Sequence, residues 1–238
     1  MRSIILIIFS VCFVSNIQAQ IYEVGFFLGN SNFIGDVGKT NYISPNNPAG
    51  GLMLKWNRSP RHSYRASILF TELEGKDNSS DDPRRLERNY GFKNSLLEFS
   101  AGMEFTFLDF NLHSSDPQMT PYLYTGISAA RHKNLYFDPT QPIPPNNDPI
   151  MPISENSQSW ALGIPIVVGF KTTAGPGLVL AAEIGVRYTF SDKLDGSVPD
   201  SKNLQSYSFG NLNSNDWYVF SGITVTYTFG QKPCYCNY

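Results

Sequence analysis

The sequence predicts an all-β fold: an eight-stranded antiparallel transmembrane β-barrel with four long outer loops and short periplasmic turns. Three observations carry this. Eight segments alternate with period two, the mark of strands rather than helices. Charge is confined almost entirely to one face of those segments. The connections between them alternate between long and short, as in barrels with long outer loops and tight inner turns.

The chain of 238 residues opens with MRSIILIIFSVCFVSNIQA, Met1–Ala19. Arg2 supplies a positive start, and Ile4–Val14 is an apolar run too short to span a bilayer as a helix. This is read as a signal peptide over residues 1–19, with the mature chain starting at Gln20. Residues 20–229 form the predicted outer-membrane barrel, and 230–238 a periplasmic C-terminal tail.

The first strand is read at Tyr22–Gly29, with Tyr22, Val24, Phe26 and Leu28 on one face and Glu23 on the other. The second, Gly51–Asn57, sets Leu52, Leu54 and Trp56 against Met53 and Lys55. The third, His62–Glu72, sets Tyr64, Ala66, Ile68 and Phe70 against Arg65, Ser67 and Leu69. The fourth, Ser95–Phe107, opposes Leu97, Phe99, Ala101, Met103 and Phe105 to Glu98, Ser100 and Glu104. The fifth, Pro121–Ala130, is less clean, with Leu123, Ile127 and Ala129 facing away from Tyr122 and Tyr124. The sixth, Ser159–Thr172, pits Trp160, Leu162, Ile164, Ile166, Val168 and Phe170 against Pro165 and Lys171. Pro165 removes a ladder donor, so a bulge or bend is expected there. The seventh, Leu178–Phe190, opposes Leu180, Ile184, Val186 and Tyr188 to Glu183 and Arg187. The eighth, Trp217–Phe229, opposes Val219, Ile223, Val225, Tyr227 and Phe229 to Thr224 and Thr226.

One face is therefore free of charge on all eight segments but for Glu72 at the end of the third. The other carries Glu23, Lys55, Arg65, Glu98, Glu104, Lys171, Glu183 and Arg187. Alternation alone also suits a soluble sandwich or barrel. Segment length and loop pattern favour the membrane. Most segments reach the roughly 9–11 residues that cross a bilayer as a strand. Long connections follow strands one, three, five and seven; those after strands two and six, Arg58–Arg61 and Thr173–Gly177, are tight. The interior of an eight-stranded barrel is filled by side chains. The eight charges are thus expected to pair as an internal salt-bridge plug, since unpaired buried charge is expensive. A narrow ion pore is the less favoured alternative.

Composition narrows function. Lys+Arg is 18 against 20 Asp+Glu, and charged residues are 16%, low against the roughly 25% of soluble domains. That balance offers no electrostatic footprint for nucleic acid. No HExxH, GxSxG or phosphate-loop motif is present, and the chain is read as a non-enzyme without cofactor or metal. His62 and His113 flank turns, His132 falls in an expected outer loop, and none pairs with a nucleophile at a known spacing. Asp192 and Asp195 in SDKLDG lack the ligand alternation of a calcium hand, and a solvated turn is expected. Asp81 and Asp82, followed by Arg84, Arg85 and Arg88, read as an exposed charged loop. Cys234 and Cys236 lie one residue apart in the tail, too close for an unstrained internal bridge. In an oxidising periplasm they are either idle thiols or partners for an intermolecular disulfide.

Five phrases resemble the PorG family of outer-membrane barrels in the type IX secretion system of Bacteroidota. They are YEVGFFLGNSNFIGDVG (22–38), NYISPNNPAGGLMLKWN (41–57), PYLYTGI (121–127), EIGVRYTFSDKLDGSV (183–198) and NDWYVFSG (215–222). The resemblance implies a structural role: tethering the periplasmic ring built by PorK and PorN (GldK and GldN in gliding bacteria) to the outer membrane. It implies service in secretion and, in some species, gliding motility. It carries no catalytic residues. With both termini periplasmic, as an even strand number requires, the expected partner-facing positions are Cys234, Cys236, Arg58 and Arg61. A generic surface barrel binding an extracellular ligand through its long loops is the alternative.

Overall fold

A computed structural model describes residues 21–230 apart from 40, 42, 113, 115, 143 and 212 and the side chain of Asn146. The signal peptide, His113 and the tail with Cys234 and Cys236 lie outside the described residues.

Eight strands run in chain order around a closed ring: β1 (Ile21–Ile34), β2 (Asn47–Asn57), β3 (His62–Lys76), β4 (Gly91–Thr106), β5 (Met119–Tyr136), β6 (Ile153–Gly175), β7 (Leu178–Thr189) and β8 (Trp217–Phe229). Every neighbouring pair is antiparallel, and β8 closes on β1 from Tyr22↔Phe229 to Ile34↔Trp217. Closure leaves no sheet edge unpaired, which a barrel in lipid requires. One rim, here the turn end, carries the tight connections, Ile21 and Gly230. The other, the loop end, carries the four long connections.

The alternation locates every strand but underestimates six of them. β1 continues to Ile34, β3 to Lys76 and β5 to Tyr136; β2 begins at Asn47, β4 at Gly91 and β6 at Ile153. All six extensions are at the loop end. There the strands rise into loops that cover them, so consecutive residues such as Ser31, Asn32 and Phe33 are buried together and the period-two signal fades. Pro165 does not produce the expected bulge. It pairs with Arg187 of β7, while the β5–β6 ladder skips Gly126 and Ile127 without changing register. The register shifts fall instead between Lys133 and Leu135 and between Thr173 and Gly175.

The wall is apolar outside and polar inside. Ile127 is 73% exposed and Leu162 62%, whereas Glu23, Glu98 and Glu104 are fully buried. In water this would expose a belt of hydrophobic surface all round the molecule; in lipid it satisfies both faces. Aromatic rings bound the belt at both rims. Tyr22 stacks on Phe229, and Trp56 leans on Tyr64, at the turn end. Phe99 meets Trp160, and Tyr188 meets Trp217, at the loop end. Such girdles sit at the interfaces of membrane barrels.

Candidate functional site

The inward period of each strand delivers the charged residues to one interior. Arg65 of β3 makes a two-pronged contact with Glu183 of β7, Nη1 and Nη2 donating to Oε2 and Oε1 at 2.7 and 2.8 Å. Tyr122 adds a hydroxyl donor to Glu183 Oε2 at 2.5 Å. Glu104 receives two lysines, Lys55 Nζ at 2.8 Å and Lys171 Nζ at 2.7 Å. Glu98 faces Arg187 Nε at 3.3 Å and accepts from Tyr218 Oη at 2.6 Å. Glu23 makes no ion pair within 4 Å among the described residues. It accepts instead from Asn57 Nδ2 at 2.8 Å and Thr226 Oγ1 at 2.6 Å. The expectation that all eight charges pair thus needs one correction. A carboxylate that two lysines share leaves one acid over, and hydrogen bonds satisfy it.

Aromatic faces complete the packing. The Arg65 guanidinium lies 4.8 Å from the Tyr124 ring centre and that of Arg187 4.6 Å from Phe220. At the turn end the β4–β5 connection folds inward, burying Phe110, whose ring centre lies 4.7 Å from Lys171 Nζ. Phe27 and Leu69 are buried in the row of Glu98, and Phe220 is buried against Arg187. Among the described residues, buried side chains thus occupy the lumen from Phe110 at the turn end to Phe220 toward the loop end.

Above the barrel the long connections form a folded cap. The loop after β3 contains a short helix α1 (Pro83–Arg88), capped by Asp82, whose Oδ1 accepts from the Arg84 amide. Arg85 donates to the carbonyls of Gly38 and Gly35, and Arg88 to Asp77 and to the Asp36 carbonyl. The Arg88 guanidinium lies 5.2 Å from the Tyr90 ring centre and 4.7 Å from that of Phe209. Tyr90 stacks on Phe137 at 4.3 Å. The expected exposed charged loop is therefore corrected in part: Arg85 and Arg88 tie this loop to the one after β1, while Asp81 and Arg84 remain at the surface.

Asp192 and Asp195 depart further from expectation. Leu194, Asp195 and Ser197 are completely buried, not turned to solvent. Asp195 Oδ2 accepts from the amides of Asp36 and Val37, locking the last long loop onto the first. Asp216 Oδ2 accepts from the Leu194 amide, while its Oδ1 and Asp192 Oδ2 find no hydrogen-bond partner among the described residues. Burial away from counter-ions, with neighbouring carboxylates, raises Asp192 to about 8 and pushes Asp195 and Asp216 upward. Among the described residues no group of three or more His, Cys, Asp or Glu is placed to hold a metal ion.

Of the histidines, His132 lies in β5 and is buried, not in a loop; His62 is exposed at the β2–β3 turn. Arg58 and Arg61 both lie at the turn end. Arg58 sits over Trp56 at 5.9 Å, and Arg61 Nε pairs with Asp109 of the neighbouring connection at 2.5 Å. Sequence reasoning missed Tyr122 and Tyr218 as donors to the ionic layer, although both share the inward phase. It also missed Phe110 and Asp216, which lie in connections where no period exists.

A closed barrel with an apolar belt, two aromatic girdles and an ion-paired interior defines a membrane β-barrel of the smallest class. The chain belongs to the family described as a domain of unknown function, DUF6089, whose model matches residues 2–238. No curated protein matches it. Among solved structures it is similar to Ail of Yersinia pestis, crystallised with the heparin analogue sucrose octasulfate, at 11% identity over 90% of this chain and 100% of that one, with a TM-score of 0.44. It is also similar to Neisserial surface protein A, at 11% identity over 88% and 97% of the two chains, TM-score 0.46. A third is the N-terminal β-barrel domain of OprF from Pseudomonas aeruginosa, at 10% identity over 89% and 98%, TM-score 0.43.

Proposed function

We propose that this protein is an outer-membrane barrel that acts as a non-enzymatic structural subunit of the type IX secretion system. In this reading it tethers the periplasmic ring of PorK and PorN (GldK and GldN) to the membrane. The observation that carries the reading is the filled lumen: Phe110, the ionic layer and the cap leave the wall and rims as the working surfaces. A barrel of this kind suits anchorage rather than passage. The five sequence phrases that resemble the PorG family supply the partner. With both termini periplasmic, the turn end faces the ring. Arg58, Arg61 and the tail cysteines Cys234 and Cys236 are the proposed contacts, the cysteines through an intermolecular disulfide.

The test is affinity purification of the tagged protein from detergent-solubilised outer membranes at native expression, with and without reductant. Co-elution of large periplasmic ring proteins supports the tether, and a reductant-sensitive adduct adds the cysteines. A barrel that elutes alone counts against it. The packed cap favours a second reading, a surface barrel binding an extracellular ligand through its loops. Secretion that survives deletion of the gene would select that one.

A further inference from the structure

Four residues form one row across four strands just inside the loop-end rim: Phe70↔Leu97, Leu97↔Arg131 and Arg131↔Trp160. Three are the apolar and aromatic side chains that a membrane interface calls for. Arg131 is not. It faces outward and is exposed, as is Lys133 two residues further along β5. Neither makes an ion pair among the described residues, whereas the nearby outward Glu74 is taken by Lys76 and Lys93. Arg131 and Lys133 form one bank of a groove of about 510 Å³ whose floor includes Phe70 and Leu97. Glu72 stands among the lining residues on the β3 side.

A guanidinium fixed at the edge of an apolar belt has hydrocarbon on one side and lipid headgroups on the other. Its five donors need acceptors, and the acceptors at that depth are phosphate oxygens. Glu72 repels a phosphate and so biases it toward the β5 bank.

We infer that this groove seats a phosphate of an outer-leaflet glycolipid of the lipid A type, held by Arg131 and Lys133 with its acyl chains on Phe70, Leu97 and Trp160. The assignment rests on the outer-membrane reading, with the loop end outward; phosphatidylglycerol is the competing source of the same chemistry.

The experiment uses the full mature chain, refolded in vesicles, extracted in detergent and examined by native mass spectrometry. The probes are diphosphoryl lipid A, dephosphorylated lipid A and phosphatidylglycerol. The expected result is selective retention of diphosphoryl lipid A. Arg131→Gln and Lys133→Gln should each weaken it about fivefold, the share of one basic group at a membrane surface, and Glu72→Gln should strengthen it. All three positions are exposed, and the heat-modifiable gel shift of a folded barrel checks each variant. Equal retention of dephosphorylated lipid A or of phosphatidylglycerol overturns the assignment, as does a folded double variant that binds like wild type. A chain that does not enter vesicles as a heat-modifiable barrel defeats the membrane reading itself, a different failure from a folded barrel indifferent to phosphate.

Discussion

At the scale of single residues the interior obeys one rule: a buried charge must be met. The Arg65–Glu183 contact shows what happens when it is not. Removing one partner of a buried pair strands the other, at a cost of about 3–5 kcal/mol, whereas replacing both with apolar or neutral groups of similar size is often nearly neutral. Arg65→Met leaves Glu183 with Tyr122 as its remaining close donor. This variant should lose about 3 kcal/mol or more in urea unfolding from lipid vesicles. The double variant Arg65→Met/Glu183→Gln should recover most of that loss. Equal destabilisation of single and double variants would mean that the pair has no coupling and that packing alone holds this layer. The four lumen acids and four bases were readable because the inward phase of each strand is unbroken where lipid bathes the outer face. Which base meets which acid was not readable, because Arg65 and Glu183 stand 118 residues apart and meet across the lumen rather than along a ladder.

At the scale of elements the cap behaves unlike the strands beneath it. Asp192, Asp195 and Asp216 are raised from the usual carboxyl value by burial first and then by neighbouring carboxylates, Asp36 among them. The folded cap therefore favours their neutral forms. A group whose pKa is raised by folding adds stability that is complete below its unfolded value near 4 and is lost as pH rises through the folded value. For Asp192 that loss begins near pH 4 and is complete above about 8. The cap should accordingly resist limited proteolysis better at pH 5 than at pH 9, measured in vesicles with the barrel intact at both. Asp192→Asn, which abolishes the charge of the group raised to about 8, should make the two digestion rates converge. A wild-type cap cut equally fast at both pH values would show that these acids do not control it.

The same contrast explains what was legible. β7 and β8 begin where the alternation places them, because Leu178 and Trp217 stand at the rims of the lipid belt. The extensions of β1 and β5, the burial of Asp195 and the arginine ties of α1 were hidden. They belong to loops packed on loops, where neither a period of two nor one of 3.6 governs which residue turns inward.

At the scale of the whole molecule the decisive property is closure. The strands seal the wall, Phe110 enters from the turn end, and Phe27, Leu69 and Phe220 are buried beside the ion pairs of Glu98 and Arg187. Eight-stranded barrels have interiors that side chains fill, whereas barrels of sixteen or more strands leave an aqueous channel. The lysines and arginines inside this one are committed to Glu104, Glu183 and Glu98 at 2.7–3.3 Å. An ion entering this space would have to displace one of those partners and leave it unpaired in a low-dielectric interior. The protein inserted in planar bilayers should therefore show no unitary conductance at neutral pH. Phe110→Ala tests whether the plug or the ionic layer is the seal: it should leave the barrel silent, since Lys171 still holds Glu104 beneath it. Discrete channel events from the wild type would place the function in transport and remove the main physical support for anchorage. Events from Phe110→Ala alone would move the seal from the ion pairs to a single aromatic ring and keep the wild-type protein closed.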